Sequence, residues 1–79
     1  MKGEVKLTPN QVRVLVRMAD GLEWSAGSVG GSIGIAGSSA RSAINGLLQR
    51  GYVSVADARS PMTYRITDAG RSALAAMKE

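Results

Sequence analysis

Cysteine, histidine and phenylalanine are all absent from these 79 residues, and each absence narrows what the chain can do. Without cysteine there are no disulfides, zinc ribbons or thiol chemistry. Without histidine the commonest general base and the usual metal ligand are missing too. The serines find no substitute partner, because no Ser-x-x-Lys spacing supplies a lysine base. Catalysis is rejected on these grounds, and neither a metal, an organic cofactor nor a small-molecule substrate is expected. The glycine-rich stretch Gly27 to Gly37 has no Gly followed by Lys and then Ser or Thr, and no G-x-G pair, so it lacks the signatures of a phosphate-cradling loop.

Long apolar runs are missing as well. The uncharged stretch from Trp24 to Ala40 is full of Ser and Gly and falls short of the ~18 apolar residues that mark a membrane span. The start, Met1 to Thr8, alternates charge with apolar residues and lacks the apolar core of a secretory signal. A cytoplasmic protein is the expectation, associated with the nucleoid if it binds DNA.

What remains is an ordinary globular composition, 44% hydrophobic and 20% charged. A chain of this length is expected to form one small domain, burying roughly 60% of the surface its unfolded form exposes. Ten Lys+Arg against six Asp+Glu leave a formal charge of +4, which favours an anionic partner such as nucleic acid. Small basic proteins without such a partner are common, so the placement of the charge has to decide.

Thr8, Pro9 and Asn10 read as a helix start, a Thr cap followed by Pro at the first helical position. The helix is expected to run to about Asp20 and stop at Gly21, with Val12, Leu15, Val16 and Ala19 on its inner face at i, i+3, i+4, i+7. Val14 and Met18 widen the apolar arc and are a candidate dimer contact. Leu22 to Trp24 suit a very short extended segment, and Ser25 caps a second helix anchored by Ala26, Val29 and Ile33. Gly27, Gly30 and Gly31 each cost that helix about 1 kcal/mol against Ala, so it is expected to be the least stable element. Gly34 ends it.

Ser38 and Ser39 open a third helix that Gly51 closes. With successive residues about 100° apart, Ser38, Arg41, Ser42, Asn45 and Gln49 share an arc of roughly 100°, opposite Ala40, Ala43, Ile44, Leu47 and Leu48. That polar face carries no acidic residue, so it can donate to phosphates and base edges without self-repulsion. Arg41 and Asn45 stand one turn apart, the spacing at which Arg pairs with guanine and Asn with adenine or a phosphate; a solvated helix face is the plainer alternative. Ser38, Ser39 and Ser42 can reach phosphates near the helix start, and Ser38 equally reads as a plain N-cap.

Tyr52 to Val55 and Met62 to Ile66 alternate as strands around the turn residues Asp57 to Pro61, a hairpin tipped by Arg59. Arg50, Arg59 and Arg65 extend the basic surface; function is favoured for Arg59 alone, while Arg65 flanks the sheet or pairs with Asp57. Trp24 and Tyr64 can stack on bases, but packing around the small sheet is favoured. Lys2, Lys6, Arg13 and Arg17 are expected to include one or two phosphate contacts. Thr67 and Asp68 cap a last helix with Ala69, Ala73, Leu74 and Met77 on its inner face and Lys78 near its end.

The fold class is therefore mostly α with a small β-hairpin, in the order α-β-α-α-β-β-α. That order, with Ile33-Gly34-Ile35 before the third helix, Leu47-Leu48-Gln49-Arg50-Gly51-Tyr52-Val53 at its end and Tyr64-Arg65-Ile66-Thr67-Asp68-Ala69-Gly70 after the hairpin, resembles winged helix-turn-helix proteins, most nearly the MarR and PadR families. The resemblance covers roughly Leu7 to Met77. It implies a helix-turn-helix over about 25–50, a recognition helix from Ser38 to Arg50 in the major groove of double-stranded DNA, and a hairpin over about 52–66 whose wing, Val55 to Thr63, touches DNA at Arg59. Gly46 within the recognition helix departs from the pattern. So does the lack of the long extra helices with which those families dimerise or hold an effector, and ligand sensing is not carried over. The implied function is sequence-specific binding of double-stranded DNA in transcription regulation, with a homodimer on a palindromic site. The alternative is a winged helix serving as a protein-interaction module, such as a small phage-encoded inhibitor or a complex subunit, with a protein partner in place of DNA.

Overall fold

A computed structural model describes residues 6–77; Lys2 and Lys78 lie outside them. Helix α1, Pro9–Arg17, continues into a turn of 3-10 helix over Met18–Asp20. Strand β1, Trp24–Ser25, leads into α2, Ala26–Ile33, and α3, Gly37–Arg50. Strands β2, Val53–Asp57, and β3, Thr63–Ile66, form the hairpin, and α4 is Asp68–Met77. The order is the one the sequence predicts.

The start of α1 is a reciprocal cap. The Thr8 hydroxyl accepts from the Gln11 amide at 3.1 Å, and the Gln11 side chain accepts from the Thr8 amide at 3.0 Å, so two amides that helix geometry leaves unpaired are satisfied. The inner face of α1 differs from the predicted one. Val14, Leu15 and Met18 are fully buried, whereas Val16 is 55% exposed and Val12 and Ala19 are half-buried. The stripe facing the core is 11, 14, 15 and 18, again i, i+3, i+4, i+7, but it opens on the polar Gln11. Gln11 turns inward because its side chain lies against Gly46 of α3. Val14 and Met18 therefore belong to the core and are not a dimer contact.

Helix α2 is capped by the Ser25 hydroxyl, which accepts from the Ser28 amide at 3.2 Å. Its Gly30 has a packing reason: a β-carbon there would meet the Ala40 β-carbon and the Ile35 carbonyl at 3.1 Å, tighter than ordinary van der Waals contact. Residue 34, with φ +77°, turns the chain from α2 into α3, and residue 51, also φ +77°, turns it out of α3. Only glycine holds such angles without strain.

The three strands pair antiparallel in the order β1-β3-β2. Trp24 faces Tyr64 across β1 and β3, Val53 faces Ile66 across β2 and β3, and the register slips between Val55 and Asp57. Such an irregularity bends the strand where the hairpin leaves the sheet. Arg65 pairs with Glu23 at 3.3 Å, not with Asp57. Thr63 donates to the other oxygen of the same carboxylate at 3.2 Å, which ties the approach to β1 onto β3.

The Thr67 hydroxyl accepts from the Gly70 amide at 3.1 Å and donates to the Gly51 carbonyl at 2.6 Å, so one side chain caps α4 and fastens it to the end of α3. Gly70 and Ala73 are buried and Leu74 is half-buried, while Ala69 is exposed rather than inward. The core gathers Val14, Leu15, Met18, Val29, Ala40, Ala43, Ile44, Leu47, Val53, Tyr64 and Ile66 from α1 and its 3-10 turn, α2, α3, β2 and β3, with Trp24 of β1 and Leu74 of α4 packed against it. Helix α3 lies at its centre with one face buried, and that leaves its other face to solvent.

Candidate nucleic-acid interface

The exposed face of α3 carries Ser38, Arg41, Ser42, Asn45 and Gln49, all exposed, with Ser39 half-buried at its edge. Ala40, Ala43, Ile44 and Leu47 are buried on the opposite side. The helix begins one residue before the predicted Ser38: its N-cap is Ala36, whose side chain makes no capping bond. Ser38 is consequently not the cap. It lies in the first helical turn, where backbone amides have no partner within the helix. Ser38, Ser39 and Ser42 share a notch with Thr8, Asn10 and Gln11 from the start of α1.

Arg41 has a different setting from its neighbours. It lines a cleft together with Ser25, Ala26 and Gly27 at the start of α2, Ser60, Pro61 and Met62 of the hairpin loop, and Tyr64. A second hollow on the same residue continues along Gly37 and Ser38. Among the described residues the two ion pairs are Arg59 with Asp57 and Arg65 with Glu23, and Arg41 is in neither.

Arg59 is at the hairpin tip and 89% exposed, yet it is held. The Asp57 carboxylate accepts from the Arg59 amide at 2.9 Å, from Nε at 3.2 Å and from Nη2 at 3.1 Å. The Arg59 guanidinium, and after it the Arg59 amide, hold the Asp57 carboxyl below its usual pKa. Asp57 was missed by the sequence reading as a partner of Arg59. An Asp two residues before an Arg in a turn carries the signal, because Asp side chains bond the backbone two residues on.

The remaining basic residues are scattered. Arg17 donates to the Ser32 hydroxyl at 2.6 Å and stands over the Trp24 ring, 4.7 Å from its centre, within cation–π range. The Trp24 indole donates to Asp20 at 3.1 Å. Asp20 is held below its usual pKa by the Leu22 amide first, then the Trp24 indole and the Arg17 charge. Trp24 thus packs between α1 and the sheet, as its scarcity among aromatics implied. Lys6, Arg13 and Arg50 are exposed, and none of them lines the notch or the clefts beside α3.

No helix among the described residues is long and apolar enough to cross a membrane, and no group of three His, Cys, Asp or Glu among them could hold a metal ion. No protein-family model matches the chain, and no curated protein matches it. Solved structures do. The chain is similar to BpsR of Bordetella bronchiseptica, whose DNA binding is regulated by 6-hydroxynicotinic acid, with 27% identity, a TM-score of 0.81, and 94% of this chain aligned to 54% of that one. It is similar to the transcriptional repressor CouR bound to a 23-mer DNA duplex, with 25% identity, a TM-score of 0.78, and 92% aligned to 54%. The multiple antibiotic-resistance repressor MarR of Listeria monocytogenes aligns with 20% identity and a TM-score of 0.81, 92% against 51%. The chain spans about half the length of the structures it matches. From α1 to α4 it has the winged helix-turn-helix fold of MarR-type transcriptional regulators.

Proposed function

We propose that this chain binds double-stranded DNA in a sequence-specific manner and regulates transcription, with α3 in the major groove and the hairpin wing on the adjacent groove or backbone. One observation carries the reading: the solvent face of α3 presents Ser38, Arg41, Ser42, Asn45 and Gln49 with no acidic residue, on a helix whose other face is locked into the core. A recognition helix has to be both rigid and donor-rich, because base edges and phosphates are read by hydrogen bonds from a fixed frame. Ser39 and Arg59 complete the contact set, with Arg59 presented by Asp57 at the wing tip. The DNA-bound state of CouR supports the same partner. The protein acts as a non-enzymatic binder in the cytoplasm.

The footprint of one copy is small, so selectivity calls for a homodimer on a two-fold site. Its contact surface lies away from Val14 and Met18, which are in the core. The test is selection from a random duplex library at near-physiological salt, followed by competition of the enriched sequence against bulk DNA. The expected result is a motif that outcompetes bulk DNA by ~10³ or more, with two-fold symmetry. No enrichment, with binding that disappears as salt rises, would leave only the non-specific attraction of a +4 chain and turn the search to a protein partner.

A further inference from the structure

The cleft around Arg41 points to a division of labour on the recognition surface, an inference that rests on the DNA reading above. If α3 occupies the major groove and the wing reaches the neighbouring minor groove, a single sugar-phosphate strand separates the two. That strand has to pass between α3 and the wing. Among the described residues a cleft fits this position, lined by Ser25, Ala26 and Gly27 at the start of α2, by Arg41 of α3, and by Ser60, Pro61 and Met62 of the hairpin loop. We infer that Arg41 clamps a backbone phosphate in this channel and does not read a base, and that sequence is read farther along α3 by Ser42, Asn45 and Gln49.

Three features of the channel agree with a phosphate strand. Arg41 is its one charged lining residue, and no carboxylate of the described residues pairs with it. The hydroxyl of Ser60 adds a neutral polar group without adding charge, while that of Ser25 is engaged with Ser28. Gly27 leaves the α2 wall without a side chain, and nothing in the protein requires that: a β-carbon at residue 27 would meet nothing within 4 Å. A glycine in a helix is less favourable than alanine, so its presence where the fold does not need it fits the close passage of an external chain. The cation of the wing itself, Arg59, is turned to Asp57 and does not line the channel.

The two roles separate cleanly in solution. Losing a phosphate contact weakens binding to every sequence alike and removes its own share of the salt dependence, a slope of about 0.9 per phosphate, whereas losing a base contact costs selectivity. The experiment measures the affinity of the full chain for its selected duplex and for a random duplex across a range of salt, for wild type, Arg41→Ala, Arg41→Lys, Gly27→Leu and Asn45→Ala, with circular dichroism confirming that each is folded. Arg41→Ala is expected to weaken both duplexes by the same factor, to flatten the salt slope by about 0.9, and to leave the ratio between them unchanged. Arg41→Lys is expected to restore most of the loss, because an ammonium serves a phosphate as a point charge. Gly27→Leu is expected to weaken both duplexes alike, and Asn45→Ala to collapse the ratio by about tenfold or more. The assignment is overturned if Arg41→Ala spares the random duplex and its salt slope while collapsing the ratio, or if lysine fails to restore binding. A wild-type chain that binds neither duplex removes the DNA reading itself, an outcome distinct from either.

Discussion

The backbone of Gly70 lies so close against the carbonyl oxygen of Tyr52 that a β-carbon at residue 70 would overlap it and would also stand 2.8 Å from Ile66 Cγ1. The carbonyl cannot swing away, because it accepts from the Thr67 amide at 3.0 Å. This contact is how α4 is seated on the end of α3 and the start of β2. Gly70→Ala is expected to destabilise the protein by about 1–3 kcal/mol, the usual cost of overpacking, despite the better helix propensity of alanine. Gly31→Ala is the counterpart: a β-carbon there meets nothing within 4 Å, so the change should stabilise by up to about 1 kcal/mol. Thermal unfolding reads both, at roughly 4–8 °C per kcal/mol for a domain of this size, and shifts of the same sign would refute the packing argument.

Helix α1 allows a sharp test of which face is the core. Met18 is fully buried and Val16 is 55% exposed, though both are apolar and two positions apart. Met18→Ala should cost about 2–5 kcal/mol, and Val16→Ala should stay within about 0.5 kcal/mol, as surface changes do. If the costs were reversed in denaturant titration, the stripe read directly from valine and leucine spacing would be the inner one after all.

That stripe shows what the sequence made legible and what it concealed. Element order, the caps at Thr8, Ser25 and Thr67, and the two-faced character of α3 follow from local rules, since apolar spacing, cap chemistry and terminal glycines act within a few residues. The rotation of α1 depends on a partner 35 positions away, because Gln11 faces inward only where Gly46 makes room for it. The same fact explains the apparent blemish in the recognition helix: Gly46 is half-buried beneath Gln11, and α3 runs through it unbroken. On the site, the donor-rich face was readable as a periodicity, but the channel beside Arg41 was not. It is assembled from residues 25–27, 41, 58, 60–62 and 64, and the sheet pairing of β1 with β3 together with the packing of α2 on α3 brings those segments together.

Proton linkage is expected to be simple. The chain has no histidine, so no side chain of ordinary pKa changes charge between about pH 5.5 and 7, and DNA affinity should be flat across that range. Asp20 and Asp57 are both held below the usual carboxylate range. A carboxylate whose folded pKa is depressed adds stability that is fully present above its unfolded value and is lost as pH falls through the folded one. Stability should therefore hold steady down to about pH 4 and decline only below it, as these two carboxylates lose their bonds to Leu22, Trp24 and Arg59. Urea titrations from pH 7 to pH 3 would show this, and a marked loss between pH 7 and 5 would contradict it.

The cap of α1 links stability to the recognition face. Thr8 and Gln11 satisfy each other's amides, and the same two residues border the notch that holds Ser38, Ser39 and Ser42. Thr8→Ala removes one of the two bonds and should cost about 0.5–2 kcal/mol, as the loss of a cap does. Thr8→Ser keeps the hydroxyl and should cost much less. Gly46→Leu acts on the pair from the other side: its side chain would occupy the place of the Gln11 amide, pushing Gln11 off the Thr8 amide and wedging α1 away from α3. Its cost should exceed that of Thr8→Ala, because it disturbs the packing of Val14, Leu15 and Met18 as well as the cap. Combining Gly46→Leu with Thr8→Ala tests the coupling: both act partly through one cap, so the double variant should lose less than the sum of the singles. Strict additivity in equilibrium unfolding would mean that Gly46 and the cap are independent, and that the contact with Gln11 does not set the rotation of α1.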